Sequence, residues 1–154
     1  MTEKKVSIKA VKQTTKVKVY NNIFNNVGFE TANGRKIELP RNGSWKEVVV
    51  EDLDYLLSLA PAMLKEGILF IEDKAVREYL DIEYLYEERF VIPSRDIEEL
   101  LNASVEDLEA ALKKVSNSTK AELAKKAKEK SDDLTGAQIR IIKEETGMEV
   151  TDKF

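Results

Sequence analysis

The sequence predicts an α+β protein: a small N-terminal β-rich module with one covering helix, followed by a C-terminal helical part. Between residues 17 and 50, apolar residues alternate with polar ones, as they do in half-buried strands. Beyond Pro93, apolar residues recur at helical spacing behind capping residues. We therefore expect three regions, a flexible N-terminal arm over 1–16, the β-rich module over 17–93, and a helical bundle or tail over 94–154.

A β-hairpin is the clearest local feature of the predicted module. Asn33-Gly34 separates two runs with alternating apolar residues, 27–32 and 35–39. An Asn-Gly pair between such runs favours a two-residue turn in which both central residues take positive φ. We therefore expect a tight hairpin with Asn33 and Gly34 at its tip.

A further strand and a helix are predicted after this hairpin. The segment 45–50 has the composition of a strand, and we expect Trp45, Val48 and Val50 to share one of its faces. The covering helix is predicted from apolar residues at helical spacing, Leu53, Leu56 and Leu57. The apolar run 68–71 predicts one more strand, and 74–80 predicts a brief helix.

Four aromatic residues near the end of the module form a candidate interface. Tyr84, Tyr86 and Phe90 alternate with charged residues, which predicts an extended segment ending at Pro93. Together with Tyr79 they form a cluster whose residue types are enriched at protein interfaces. The same residues are also ordinary core residues of a small domain, so both interpretations stay open.

The C-terminal part contains a series of helix start signals. Ser94, Ser104, Thr119 and Thr135 are each followed by residues typical of a first helical turn, and Gly147 is placed to end the last helix. The helix expected after Thr119 is rich in lysine. With the helix after it, this segment resembles small helix–turn–helix units of the SAP or LEM-like kind, on the run "TKAELAKKAKE". That resemblance implies binding to DNA or to another protein.

Composition argues against several functions. The chain has no His and no Cys, so the commonest general base and thiolate metal ligands are missing. Acidic residues occur in pairs without a metal-binding pattern, and glycines occur singly instead of in phosphate-binding loops. We expect no catalytic residues, no metal site and no cofactor.

Charge and hydropathy bear on the partners. The formal net charge of −4 argues against tight binding to nucleic acid, which needs an excess of basic residues. No apolar run reaches the length that crosses a bilayer, and the N-terminus does not lead into an apolar signal core. We therefore expect a protein that is made in the cytoplasm and does not enter a membrane.

The order of these segments resembles a group of phage proteins. The resemblance rests on four runs, "IELPRNGSWKEVVVEDLDYLL", "ILFIED", "DIEELLNASVEDLEAALKKV" and "QIRIIKEETG". Small virion-associated proteins of tailed bacteriophages, typically from Gram-positive hosts, similarly join a compact β module to a helical part. The resemblance implies a structural protein of the virion, bound in multiple copies to capsid, portal or tail components.

Two functional hypotheses follow from these observations. The first is a non-enzymatic component of a tailed-phage virion, associated with the capsid or connector, in a decoration, cement or head–tail assembly role. The second is an adaptor that binds nucleic acid or protein through its C-terminal helical pair. Both hypotheses seek function in a surface.

Overall fold

The computed structural model describes residues 10–150, and the chain has an α+β fold. The described residues form two compact units, one ending at Tyr84 and the other beginning at Leu85. Residues 1–9 of the predicted arm, with the weakly alternating Val6 and Ile8, lie outside the described residues, as do residues 151–154. The end of the arm is described: Lys12 and Thr15 form a hydrogen-bonded turn immediately before the first strand.

The first unit contains a three-stranded antiparallel sheet. Its strands are β1 (Lys16–Asn21), β4 (Trp45–Val49) and β5 (Leu69–Ile71), in the order β4-β1-β5. Residues of β1 alternate between exposed and buried, with Val17 and Val19 on the buried face. The sheet thus has one face packed in the core and one open face.

Two further strands within residues 10–150 form the predicted hairpin. β2 (Val27–Glu30) pairs with β3 (Lys36–Leu39) in antiparallel register. The turn differs from the expected one, because Gly34 has a φ of 87° while Asn33 does not take positive φ. The Gly34 N–H donates to the Thr31 carbonyl over 2.9 Å, and the Thr31 N–H donates to the Arg35 carbonyl over 2.8 Å. This pattern is a three-residue loop with a glycine bulge, so a single positive φ closes it.

Within residues 10–84 three complete helices occur: α1 (Val50–Leu59), α2 (Ala62–Lys65) and α3 (Lys74–Tyr79). α1 follows β4 without a loop and buries Leu53 and Leu56. The expectation that Trp45, Val48 and Val50 share a face was wrong. Trp45 and Val48 are three residues apart, so a strand directs them to opposite faces, and Val50 already belongs to α1.

The segment expected to be extended before Pro93 is helical at its start. α4 (Glu83–Glu87) contains Tyr84 and Tyr86, and Arg89 follows it with a φ of 62°. The buried residues Ile82, Leu85 and Tyr86 have helical spacing, which outweighs the alternation of the tyrosines. The predicted extended conformation was therefore wrong at α4.

The second unit is mainly helical. After the end of α4 it contains α5 (Arg95–Leu101), α6 (Val105–Leu112), α7 (Asn117–Glu129) and α8 (Gly136–Thr146), with a 3₁₀ turn at Ser131–Asp133. α8 packs against α6 and α7, and α5 packs against the same two helices. α7 buries Leu123 together with Ala124 and Ala127, and the small side chains of the two alanines allow close helix packing.

Several of the predicted caps are present. Ser104 accepts a hydrogen bond from the Asp107 N–H, Thr135 forms a full capping box with Gln138, and Gly147 ends α8 with a φ of 72°. Ser94 is at the expected N-cap position of α5, without a side-chain cap bond. The expectation for Thr119 was wrong: α7 is capped by Ser116 and contains Thr119 as a buried first-turn residue.

Candidate functional site

The open face of the three-stranded sheet carries the most distinctive surface of the first unit. Lys16, Lys18 and Tyr20 alternate with the buried residues of β1 and therefore lie on this face. In the register of the sheet, Tyr20 is directly opposite Trp45 on β4 and Phe70 on β5. Residues directly opposite in an antiparallel pair share a face. A row of three aromatic residues therefore crosses the sheet.

Trp45 is the exposed end of this row. Its side chain is 47% exposed, whereas Phe70 at the other end is 7% exposed. The Lys18 Nζ lies 4.3 Å from the centroid of the Trp45 ring, which is within the range of a cation–π interaction. Lys18 therefore contacts one face of the Trp45 ring, while the Trp45 side chain is still partly accessible to water.

A shallow cavity of about 320 Å³ lies beside this row. Its floor is β1, and its charged lining comes from two lysines and three carboxylates, Lys16, Lys18, Glu47, Glu72 and Asp73. The Asp73 carboxylate also accepts a hydrogen bond from the Val76 N–H and so caps α3. Pockets for small molecules are mostly apolar, so this mixed-charge depression is better suited to polar groups at the margin of a protein contact.

We name the open face with Lys16, Lys18, Tyr20, Trp45 and Glu47 the aromatic sheet face. The sequence analysis missed this face, because it expected Trp45 to share a face with Val48 and Val50, which are buried. The signal was present in the chain: Lys18 and Tyr20 lie on the polar side of the alternation in β1. The partner strand that adds Trp45 to them could not be identified without the register.

The predicted aromatic cluster is distributed between different environments. Tyr79, at the end of α3, is 44% exposed, and its hydroxyl accepts a hydrogen bond from the Gln13 Nε2 over 2.7 Å. Tyr84 is exposed and Tyr86 is buried, although both lie in α4. Helix residues two apart face different directions, so these two tyrosines do not belong to one surface. Phe90 is half-buried, and its carbonyl accepts a hydrogen bond from the Ser116 N–H.

Three lysines in α7 and at its C-cap contact carboxylates. Lys130 and Lys126 contact Glu98 of α5 over 3.0 and 3.4 Å, and Lys125 contacts Glu122 over 3.5 Å. The hydrogen bond from Lys130, with a further contribution from Lys126, holds the pKa of Glu98 below its ordinary value. These ion pairs reduce the positive potential that a phosphate backbone requires.

Residues 10–150 contain no group of three His, Cys, Asp or Glu residues that could hold a metal ion. Asp52, one of the paired carboxylates in the sequence, is buried and accepts a hydrogen bond from the Ala32 N–H over 3.0 Å. It therefore anchors the hairpin turn to α1. In the same described part, no helix has the length and apolarity to cross a membrane.

No protein-family model, no curated protein and no solved structure matches this chain. Among the surfaces described above, the aromatic sheet face combines an exposed aromatic side chain in contact with a lysine and a lining of charged side chains.

Proposed function

We propose that this chain is a non-enzymatic structural component of a tailed-phage virion, associated with the capsid or the connector. It would be made in the host cytoplasm and then held in multiple copies by capsid, portal or tail proteins. The role is that of a decoration, cement or head–tail assembly protein. The observation that carries the proposal is the aromatic sheet face, where Trp45 is held by Lys18 and is still half exposed.

The chemistry of this face supports binding to protein. Tryptophan is enriched among the residues that dominate the binding energy of protein interfaces, because it buries a large area at a small cost in side-chain entropy. Lys18 already restricts the Trp45 ring, which lowers the entropy cost of ordering the ring in a complex. The surrounding lysines and carboxylates match the polar rim of a protein interface.

The adaptor hypothesis depends on α7 and α8 instead. The contacts of Glu98 with Lys126 and Lys130 weigh against duplex DNA as the partner, because they neutralise part of the basic helix. A gel shift with the full chain and duplex DNA distinguishes the two hypotheses. We expect no submicromolar binding; a submicromolar complex that weakens steeply with salt would favour the adaptor.

The direct test of the proposal is the composition of phage particles. Gradient-purified virions are analysed by quantitative mass spectrometry, with the major capsid protein as the internal standard. We expect this chain at a constant ratio to the capsid protein in independent preparations. Its absence from particles, together with its presence in infected cells, would contradict the proposal.

A further inference from the structure

β4 lies at an edge of the three-stranded sheet. Within residues 10–150 it pairs with β1 and with no other strand. Two hydrogen bonds of 2.8 Å frame this pairing, from the Val50 N–H to the Thr15 carbonyl and from the Asn21 N–H to the Ser44 carbonyl. Each joins residues that are directly opposite in the register. In an antiparallel ladder such hydrogen-bonded pairs alternate with pairs that do not bond each other.

This alternation determines the direction of each backbone group of β4. Lys46 and Val48 lie an even number of residues from the framing pairs, so their N–H and C=O groups point toward β1. The N–H and C=O groups of Trp45, Glu47 and Val49 consequently point away from β1. An edge of this kind is a template on which another strand can pair.

The side chains along this edge favour one kind of partner. Trp45 and Glu47 are exposed, and Val49 is half-buried. Glu47 is directly opposite Lys18 of β1 in the register, but within the described residues its carboxylate forms no ion pair; on its own strand it lies between these two apolar side chains on the same face. Two copies of β4 paired about their centres would place Glu47 opposite Glu47, and like charges directly opposite destabilise a sheet. Self-pairing in this register is therefore disfavoured, whereas a different chain with a basic residue at that position would complement the charge of Glu47.

From this edge we infer that β4 accepts an extended segment of another virion protein as an additional strand. That segment carries a basic residue opposite Glu47 and β-branched or aromatic residues opposite Trp45 and Val49. The inference names a partner for the aromatic sheet face and so rests on the proposed function. Backbone hydrogen bonds would supply affinity, and the alternate side chains would supply specificity.

The test uses the full chain labelled for NMR and two synthetic peptides. One peptide is an extended sequence with Arg at its centre between Val and Thr residues, and the matched peptide has Glu in place of Arg. We expect saturable shifts that are largest at the amides of Trp45, Glu47 and Val49. The Glu peptide should bind about fivefold to tenfold more weakly, as expected when an opposite-charge pair becomes a like-charge pair.

A proline variant tests the geometry of the pairing. Glu47→Pro removes an N–H that points away from β1, so the ladder between β1 and β4 keeps its hydrogen bonds. We expect this variant to keep the native spectrum and to lose peptide binding, whereas Glu47→Ala keeps backbone pairing with reduced preference for Arg. If Glu47→Pro unfolds the chain, slowed exchange of the Glu47 amide in the wild-type complex provides the same test.

Three outcomes would overturn the inference: no saturable binding of the Arg peptide, shifts centred away from β4, or self-association of the chain through this edge. These results are independent of the particle composition. A chain found in virions that does not bind the peptide refutes the added strand alone. A chain absent from virions that still binds the peptide refutes the virion role and the virion origin of the partner, but not the addition of a strand at β4.

Discussion

The Lys18 Nζ lies 4.3 Å from the centroid of the Trp45 ring, on the face of the sheet that is not packed in the core. The two residues come from neighbouring strands, and register brings them together: Trp45 is opposite Tyr20, two residues beyond Lys18. An exposed cation–π pair contributes about 0.5–1 kcal/mol to stability. The fold therefore depends little on an aromatic residue that a binding partner would bury.

Substitution of either residue should leave the fold largely intact. We expect Lys18→Ala and Trp45→Ala each to lower the free energy of unfolding by about 1 kcal/mol or less. Leu53→Ala, at a fully buried position in α1, should cost about 2–5 kcal/mol. Urea denaturation measures all three. A loss at Trp45 equal to that at Leu53 would identify Trp45 as a core residue and remove the reason to assign it to a binding surface.

The hairpin loop provides a test of its single positive φ. At Gly34, φ is 87° and an added Cβ would meet no atom within 4 Å, so Gly34→Ala changes backbone strain without a clash. We expect this variant to lose about 1–2 kcal/mol of unfolding free energy. Gly136→Ala is the matched control, because its Cβ also has open space and its position in the first turn of α8 has no positive φ. Equal effects at the two positions in thermal unfolding would contradict the observed loop.

The pairing of Glu98 with Lys126 and Lys130 should make stability depend on pH. The pKa of Glu98 is lowered in the folded chain, so its stabilising effect is present above the ordinary Glu range and is lost as pH falls through the lowered value. We expect Glu98→Gln to destabilise the chain at neutral pH in low salt and to match the wild type in acid.

The control for this prediction is Glu99→Gln, on the same helix. Glu99 is exposed, and no ion pair involves it within the described residues. Denaturation is measured at two pH values and two salt concentrations. At neutral pH, the unfolding free energy of Glu98→Gln should lie below that of the wild type, and salt should reduce this difference. If both variants differ from the wild type by the same unfolding free energy, and salt does not change that difference, the contact of Glu98 with the lysines does not contribute to stability.

Local sequence signals predicted much of the fold. The strand at Val17 and Val19, the hairpin around Gly34, and the caps at Thr135 and Gly147 each depend on a few neighbouring residues. The helix expected to begin after Thr119 begins at Asn117 instead, and the reason is local. The run from Ser116 to Thr119 contains several capping residues, and the buried hydroxyl of Ser116 forms the cap instead.

The candidate surface could not be predicted, because it depends on register between distant segments. Trp45 and Lys18 are far apart in the chain, and nothing in either segment specifies which residues of β1 and β4 are opposite. The packing of α7 against its neighbours could not be predicted either. Leu123 is its one large apolar anchor, yet Ala124 and Ala127 are buried through close packing that only the neighbouring helices allow.

The central claim, that Trp45 binds another protein of the virion, is tested most directly by the content of variant particles. Phage carrying Trp45→Ala are compared with phage carrying Tyr55→Ala, since Tyr55 is another exposed aromatic residue of the first unit. Quantitative mass spectrometry of purified virions measures the ratio of this chain to the capsid protein. We expect Trp45→Ala to lower that ratio to about a tenth or less of the wild type, as for an interface anchor, with Tyr55→Ala unchanged. A wild-type ratio for Trp45→Ala would contradict the account.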